Sequence, residues 1–102
     1  MITPDHPRLN QRVTILKALG HPSRLWIVLR LMEKKSSVQE LREGLDQDMS
    51  TVSRHLLLLR TAGIIRFERK GLFYIYELNC DEIGPLFDAL DALQVSPRTG
   101  VR

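Results

Sequence analysis

The stretch Met49-Ser-Thr-Val-Ser-Arg-His-Leu-Leu-Leu-Leu-Arg-Thr-Ala-Gly63 decides how the rest of the chain is read. Val52, Leu56, Leu59 and Ala62 recur at spacings of three and four, the apolar stripe of a core-facing helix. Ser50, Thr51, Ser53, Arg54 and His55 crowd the first two turns with hydrogen-bonding side chains. Asp48 stands where an N-cap belongs, and Gly63 where a helix stops. A helix buried along one side and polar at its N-terminal end has the form needed to read a major groove.

Upstream, the chain supplies helices. Residues 1–8 carry two prolines and read as a loose arm. Leu9 to Leu19 is expected to be a helix, with Leu9, Val13, Ile15, Leu16 and Leu19 as its apolar positions. Gly20-His-Pro22 breaks it, and Ser23 to Met32 forms a second, with Pro22 placed for its start and Leu25, Val28, Leu29 and Met32 as its inner face. Lys34-Lys-Ser-Ser37 is a polar break whose last serine can cap a short third helix, Val38 to Gly44. Asp46-Gln-Asp48 then turns into the helix of residues 49–62. A short helix, a tight turn and a longer helix is the shape of a helix-turn-helix.

Downstream, the period changes. Ile64 to Glu68 and Leu72 to Leu78 are rich in β-branched and aromatic residues, and Arg69-Lys-Gly71 between them reads as a basic hairpin turn with Gly71 able to take positive φ. Such a hairpin forms a wing, placed to touch a phosphate backbone or a minor groove. Asp81 to Val95 is a last amphipathic helix; Gly84-Pro85 implies either a start at Pro85 or a separate turn leading into it. Residues 96–102 read as a flexible end. The fold class is therefore mainly α with a small β-hairpin, in a single domain over residues 1–102.

Composition agrees with a binding protein. From Met49 to Tyr76 there are five basic residues against one acidic; from Glu77 to Val95 there are five acidic and none basic. One segment suits a polyanion and the next repels it, the segregation expected if a single face meets nucleic acid. No run of apolar residues is long enough to span a bilayer, no secretory leader is legible at the N-terminus, and the single cysteine, Cys80, fits a reducing cytoplasm. No Gly-rich phosphate loop, activated nucleophile or paired-carboxylate pattern points to an enzyme.

Leu16-Lys-Ala-Leu-Gly-His-Pro-Ser-Arg-Leu25, Ser50-Thr-Val-Ser-Arg-His-Leu-Leu-Leu-Leu-Arg-Thr-Ala-Gly-Ile-Ile65 and Arg69-Lys-Gly-Leu-Phe-Tyr-Ile-Tyr-Glu-Leu78 resemble, in order, three signatures of the ArsR family of winged helix-turn-helix repressors. The resemblance covers Leu9 to Leu93. It implies a homodimer built from the first and last helices that binds an inverted-repeat operator and represses until an inducer lowers its affinity for DNA. Carried over by position, Met49, Ser50, Thr51, Ser53, Arg54 and His55 are the DNA-contact residues of the helix, and Arg69 and Lys70 those of the wing. Met49 stands where the family often has a polar residue, which leaves base choice there open.

The usual inducer sites are absent from the pattern. Ser36 to Leu41 holds no Cys-x-Cys, and one thiol cannot supply the two or three thiolates that arsenite or a soft cation needs. Cys80, Asp81 and Glu82 could offer part of a metal half-site at the last helix, but Ala92 to Ser96 offers no histidine or carboxylate to complete it. No cofactor is expected. Two alternatives stand beside the repressor: a redox or metal response through Cys80, and a winged helix used for protein contact alone. Salt separates DNA binding from the latter, because counterion release makes a DNA complex strongly salt-dependent.

Overall fold

The computed structural model describes residues 3–93. In chain order it contains α1 (Pro7–Leu19), α2 (Pro22–Glu33), β1 (Ser36–Ser37), α3 (Val38–Leu45), α4 (Met49–Thr61), β2 (Ile65–Lys70), β3 (Phe73–Leu78) and α5 (Ile83–Ala92). The helical and hairpin elements expected from the sequence are present in the expected order. Residues 96–102, read above as a flexible end, lie outside the described part.

Local chemistry sets the helix boundaries. α1 begins two residues before the expected Leu9: Pro7 occupies its first turn, and the Arg8 N–H donates to Nδ1 of His6 at 3.1 Å. The same device opens α2, where the Ser23 N–H donates to Nδ1 of His21 at 3.1 Å ahead of Pro22. Ser37 caps α3 through a reciprocal box: its Oγ accepts from the Glu40 N–H at 3.1 Å, and Oε1 of Glu40 accepts from the Ser37 N–H at 2.9 Å. Asp48 caps α4, its Oδ1 accepting from the Thr51 N–H at 2.8 Å.

α5 resolves the Gly84-Pro85 question in a third way. The helix starts at Ile83, so Pro85 falls at its third position, where the missing N–H has no intrahelical partner to lose. The first ladder bond runs from the Leu86 N–H to the Glu82 carbonyl.

β1 is a strand the sequence did not reveal. Ser36 and Ser37 pair antiparallel with Tyr76 and Ile75 of β3, giving a three-stranded sheet in the order β1-β3-β2. β2 and β3 pair from Ile65 opposite Leu78 to Lys70 opposite Phe73. The hairpin turn is thus Gly71-Leu72, with Gly71 at φ +63° as expected, while Arg69 and Lys70 belong to the strand rather than the turn.

The core gathers Leu19 of α1, Ile27, Val28 and Leu31 of α2, Leu41 of α3, Val52, Leu56 and Leu59 of α4, Ile65 and Tyr76 of the hairpin, and Ile83 of α5. For α2 this corrects the expected inner face. Ile27 and Leu31 point inward with Val28, whereas Leu29 and Met32 are exposed. The helix is apolar on nearly every side, so its sequence does not fix its rotation. Among the described residues, no helix is long and apolar enough to cross a membrane.

Candidate nucleic-acid interface

α3, the turn Asp46-Gln47-Asp48 and α4 form the helix-turn-helix. Asp46 ends α3 in the left-handed conformation at φ 55°, and its N–H returns to the carbonyls of Arg42 and Glu43. Gln47 ties the turn to α2, its Nε2 donating to Ser23 Oγ at 2.9 Å. α4 is then fixed by burial of Val52, His55, Leu56 and Leu59 along one side.

The opposite side of α4 carries Met49, Ser50, Ser53, Arg54 and Leu57, all exposed and spaced three and four apart. This is the stripe a groove would meet. Asp48 sits at its N-terminal end and also accepts from the Ser50 hydroxyl at 3.0 Å. The Thr51 N–H holds the Asp48 carboxyl below the usual aspartate range, and the Ser50 hydroxyl adds to the effect. Thr51 is half-buried at the margin of the stripe.

His55 does not share that surface. Only 7% of it is exposed, and it points into the molecule against the corner between α1 and α2. The expected DNA contact through its side chain therefore does not fit the geometry. Burial first, and then the nearby His21, Arg24 and Arg54, push its imidazole below the usual value.

The wing brings a second basic surface. Arg69 donates from Nε to the Gly71 carbonyl at 3.1 Å and lies 5.9 Å over the Tyr74 ring, so it is held along the hairpin. Lys70 pairs with Glu68 at 3.4 Å, an exposed pair of little strength. Leu72, expected to open the second strand, is instead a turn residue and is 88% exposed at the tip. Not every basic residue of the segment serves this face. Arg66 is drawn to Glu77 at 3.1 Å and to Asn79, and Lys35 reaches the same Glu77 at 3.3 Å, which depresses the Glu77 carboxyl. Arg60 lies 4.8 Å over the Phe67 ring.

Cys80 is half-buried against the core, and Asp81 and Glu82 beside it are exposed. Among the described residues, no three histidine, cysteine or carboxylate side chains converge on a point that could hold a metal ion.

Comparison with known proteins agrees with this arrangement. Residues 21–66 match the family described as bacterial regulatory proteins of the arsR family. The biofilm growth-associated repressor of Agrobacterium fabrum is 36% identical over 95 residues, which cover 89% of this chain and 81% of that protein. The HTH-type transcriptional repressor SmtB of Mycobacterium tuberculosis is 37% identical over 75 residues, 74% of this chain; the match spans only 56% of that repressor. The structure of HlyU from Vibrio cholerae superposes with a TM-score of 0.75 at 28% identity, over 84% of this chain and 94% of that one. With the helix-turn-helix, the following hairpin and the family match in agreement, the chain belongs to the ArsR family of transcriptional regulators and has its winged helix-turn-helix fold.

Proposed function

We propose that the chain is a single-domain, cytoplasmic transcriptional repressor that binds an inverted-repeat operator as a homodimer. The observation that carries the reading is the uncovered stripe Met49, Ser50, Ser53, Arg54 and Leu57 on a helix whose other side is locked into the core. Arg54 is the principal contact, since its planar fork can pair two acceptors on a base edge or a phosphate. Ser53 and Thr51 donate to phosphates near the N-terminus of α4, where the helix dipole favours an anion, and Ser50 joins them when its hydroxyl turns from Asp48 to the DNA. Arg69 and Lys70 hold the flanking backbone, with the Leu72 tip between the two strands of the wing.

The dimer reading rests on the apolar surface that one chain leaves uncovered. α1 exposes Leu9, Val13, Ile15 and Leu16; α5 exposes Leu90, and Leu93 just after it is exposed as well. A second copy covering these faces would relate two α4 helices by a two-fold axis, placing them in successive major grooves about 34 Å apart. Hydroxyl-radical footprinting on the chain's own upstream promoter tests this. Two symmetric protected patches separated by about one helical turn are expected. A single patch, or uniform protection along the fragment, would contradict the paired reading.

A further inference from the structure

We propose that His55 is a positioning residue: it locks the reading helix α4 to the corner between α1 and α2 by receiving the guanidinium of Arg24. Arg24 donates in three directions. Its Nε reaches the Ala18 carbonyl at 2.7 Å, its Nη2 the Lys17 carbonyl at 3.2 Å, and its Nη1 lies 3.3 Å from Nδ1 of His55. The first two acceptors lie in the last turn of α1, where the regular ladder ends (of the backbone donors, the Lys17 carbonyl takes only the Gly20 N–H, at 3.3 Å) and a cation suits the dipole. The third contact belongs to α4. One side chain of α2 thus joins the end of α1 to the middle of the reading helix.

The chemistry of the join fixes the state of the ring. A guanidinium has donors only, so Nδ1 of His55 must accept, and the ring is neutral with its proton on Nε2. His21 stands against it with ring centroids 4.7 Å apart, and uses its own Nδ1 to cap α2. The charged and titratable groups around His55 are His21 from the corner, Arg24 from α2 and Arg54 from α4 itself; α1 contributes carbonyls through Arg24. Among the described residues no salt bridge involves Arg24, His21 or His55, so no carboxylate is paired there to stabilise a second proton. A proton on Nδ1 would set N–H against N–H and a cation beside a cation, and the join would open.

The sign of the pH effect follows. The folded chain favours the neutral ring, so the unfolded chain takes up more protons as pH falls below the ordinary imidazole value of about 6.5. The hold on α4 is complete above that pH and weakens below it. A proton gained on an exposed histidine would instead add positive charge and tighten binding to a polyanion. His55 is therefore distinguished by direction as well as by position.

The inference rests on α4 being the helix that meets DNA, and its test separates the two claims. Nitrogen-detected NMR of the full chain reads the His55 ring without DNA. The Nε2–H tautomer at pH 7.5 and titration below about 6.5 are expected; an Nδ1–H tautomer, or titration above that value, would overturn the join. Binding to the chain's own promoter DNA is then followed from pH 7.5 to 5.5 at fixed ionic strength. The wild type should lose affinity on acidification by severalfold and by less than about tenfold, the ceiling that proton linkage sets at pH 5.5 for a group titrating below about 6.5. His55→Asn, whose amide oxygen can take the acceptor place, should lack that loss, and His21→Asn, which keeps a cap for α2, should retain it. Tightening on acidification, persistence of the loss in His55→Asn, or its disappearance in His21→Asn would each refute the proposal. If His55→Asn does not fold, the wild-type tautomer and titration decide alone. A folded wild type that binds no DNA at pH 7.5 would remove the reading of α4, while the NMR result would still judge the join.

Discussion

Single side chains carry the argument for recognition, and their roles were unevenly legible. Asp48 and Ser37 declare themselves as caps because an N-cap is a local event, settled within three residues. The inward turn of His55 is not local. It depends on Arg24, thirty-one residues earlier, whose fork is in turn held by α1 carbonyls, and the sequence beside Arg54 gives no sign of that partner. Arg54→Ala is expected to weaken operator binding by about 1–3 kcal/mol and relax base preference if the contact is bidentate. Competition titrations against operator variants read both, and unchanged preference would take Arg54 out of the reading role. Lys70→Ala should instead weaken all DNA about equally and reduce the salt slope by about one. Asp48 offers a change in the other direction. Asp48→Asn keeps an oxygen for the Thr51 N–H and removes a negative charge from the surface proposed to face phosphate, so all DNA should bind more tightly with thermal stability held. The same substitution removes an acid dependence: the wild-type carboxylate cap is intact above the ordinary aspartate range and is lost as pH falls through its depressed value, whereas the amide does not titrate. Weaker binding by Asp48→Asn would show that the charge orders the helix end more than it repels DNA.

Elements were legible where periodicity was one-sided and obscure where it was not. α4 repeats Val52, Leu56 and Leu59 along one side, so its rotation is legible in outline, although Leu57 lies exposed and His55 buried. α2 runs Leu25-Trp-Ile-Val-Leu-Arg-Leu-Met32, and either of two faces could have been the inner one. Only its neighbours settle the choice of Ile27, Val28 and Leu31. β1 escaped because two serines carry no alternation; their strand character comes entirely from pairing with Tyr76 and Ile75. The hairpin lies where its sequence predicts, but its turn is Gly71-Leu72 rather than Arg69 to Gly71, since Lys70 pairs with Phe73. α3 contains a tight approach that local propensity conceals. A methyl group on Gly44 would overlap the Trp26 ring. Gly44→Ala therefore gains helix propensity yet should lose about 1–3 kcal/mol through overpacking. Urea unfolding followed by the fluorescence of Trp26, the chain's one tryptophan, would report this as a lower midpoint with an unchanged slope. A raised midpoint would mean that the ring moves aside without cost.

At the scale of the molecule, what remains uncovered matters as much as what is packed. Leu16 is 60% exposed on α1 and Leu93 69% exposed at the end of α5, and neither is needed by the core of one chain. The sequence marked both helices as amphipathic, but periodicity cannot say whether an apolar face turns toward the same chain or toward a second copy. Leu16→Glu is expected to shift the chain from dimer to monomer in sedimentation velocity while changing the folding stability of the monomer by no more than about 0.5 kcal/mol. Operator affinity should fall with it, because each half-site would then be bound alone. Dimers that survive the substitution would move the interface elsewhere. Charge is organised at the same scale: Glu77 gathers Lys35 and Arg66, so the proposed contact with a polyanion falls to Arg54, Arg69 and Lys70, the last of which also pairs with Glu68. The central claim, that this surface binds DNA and prefers one sequence, is tested most directly by fluorescence-anisotropy titration of the purified chain against its upstream promoter fragment and a scrambled fragment across a salt series. The account predicts that the promoter is bound more tightly than the scrambled DNA and that the logarithm of affinity falls steeply and linearly with the logarithm of salt. Absence of binding to either fragment at low salt would contradict it and bring forward a winged helix that meets only protein.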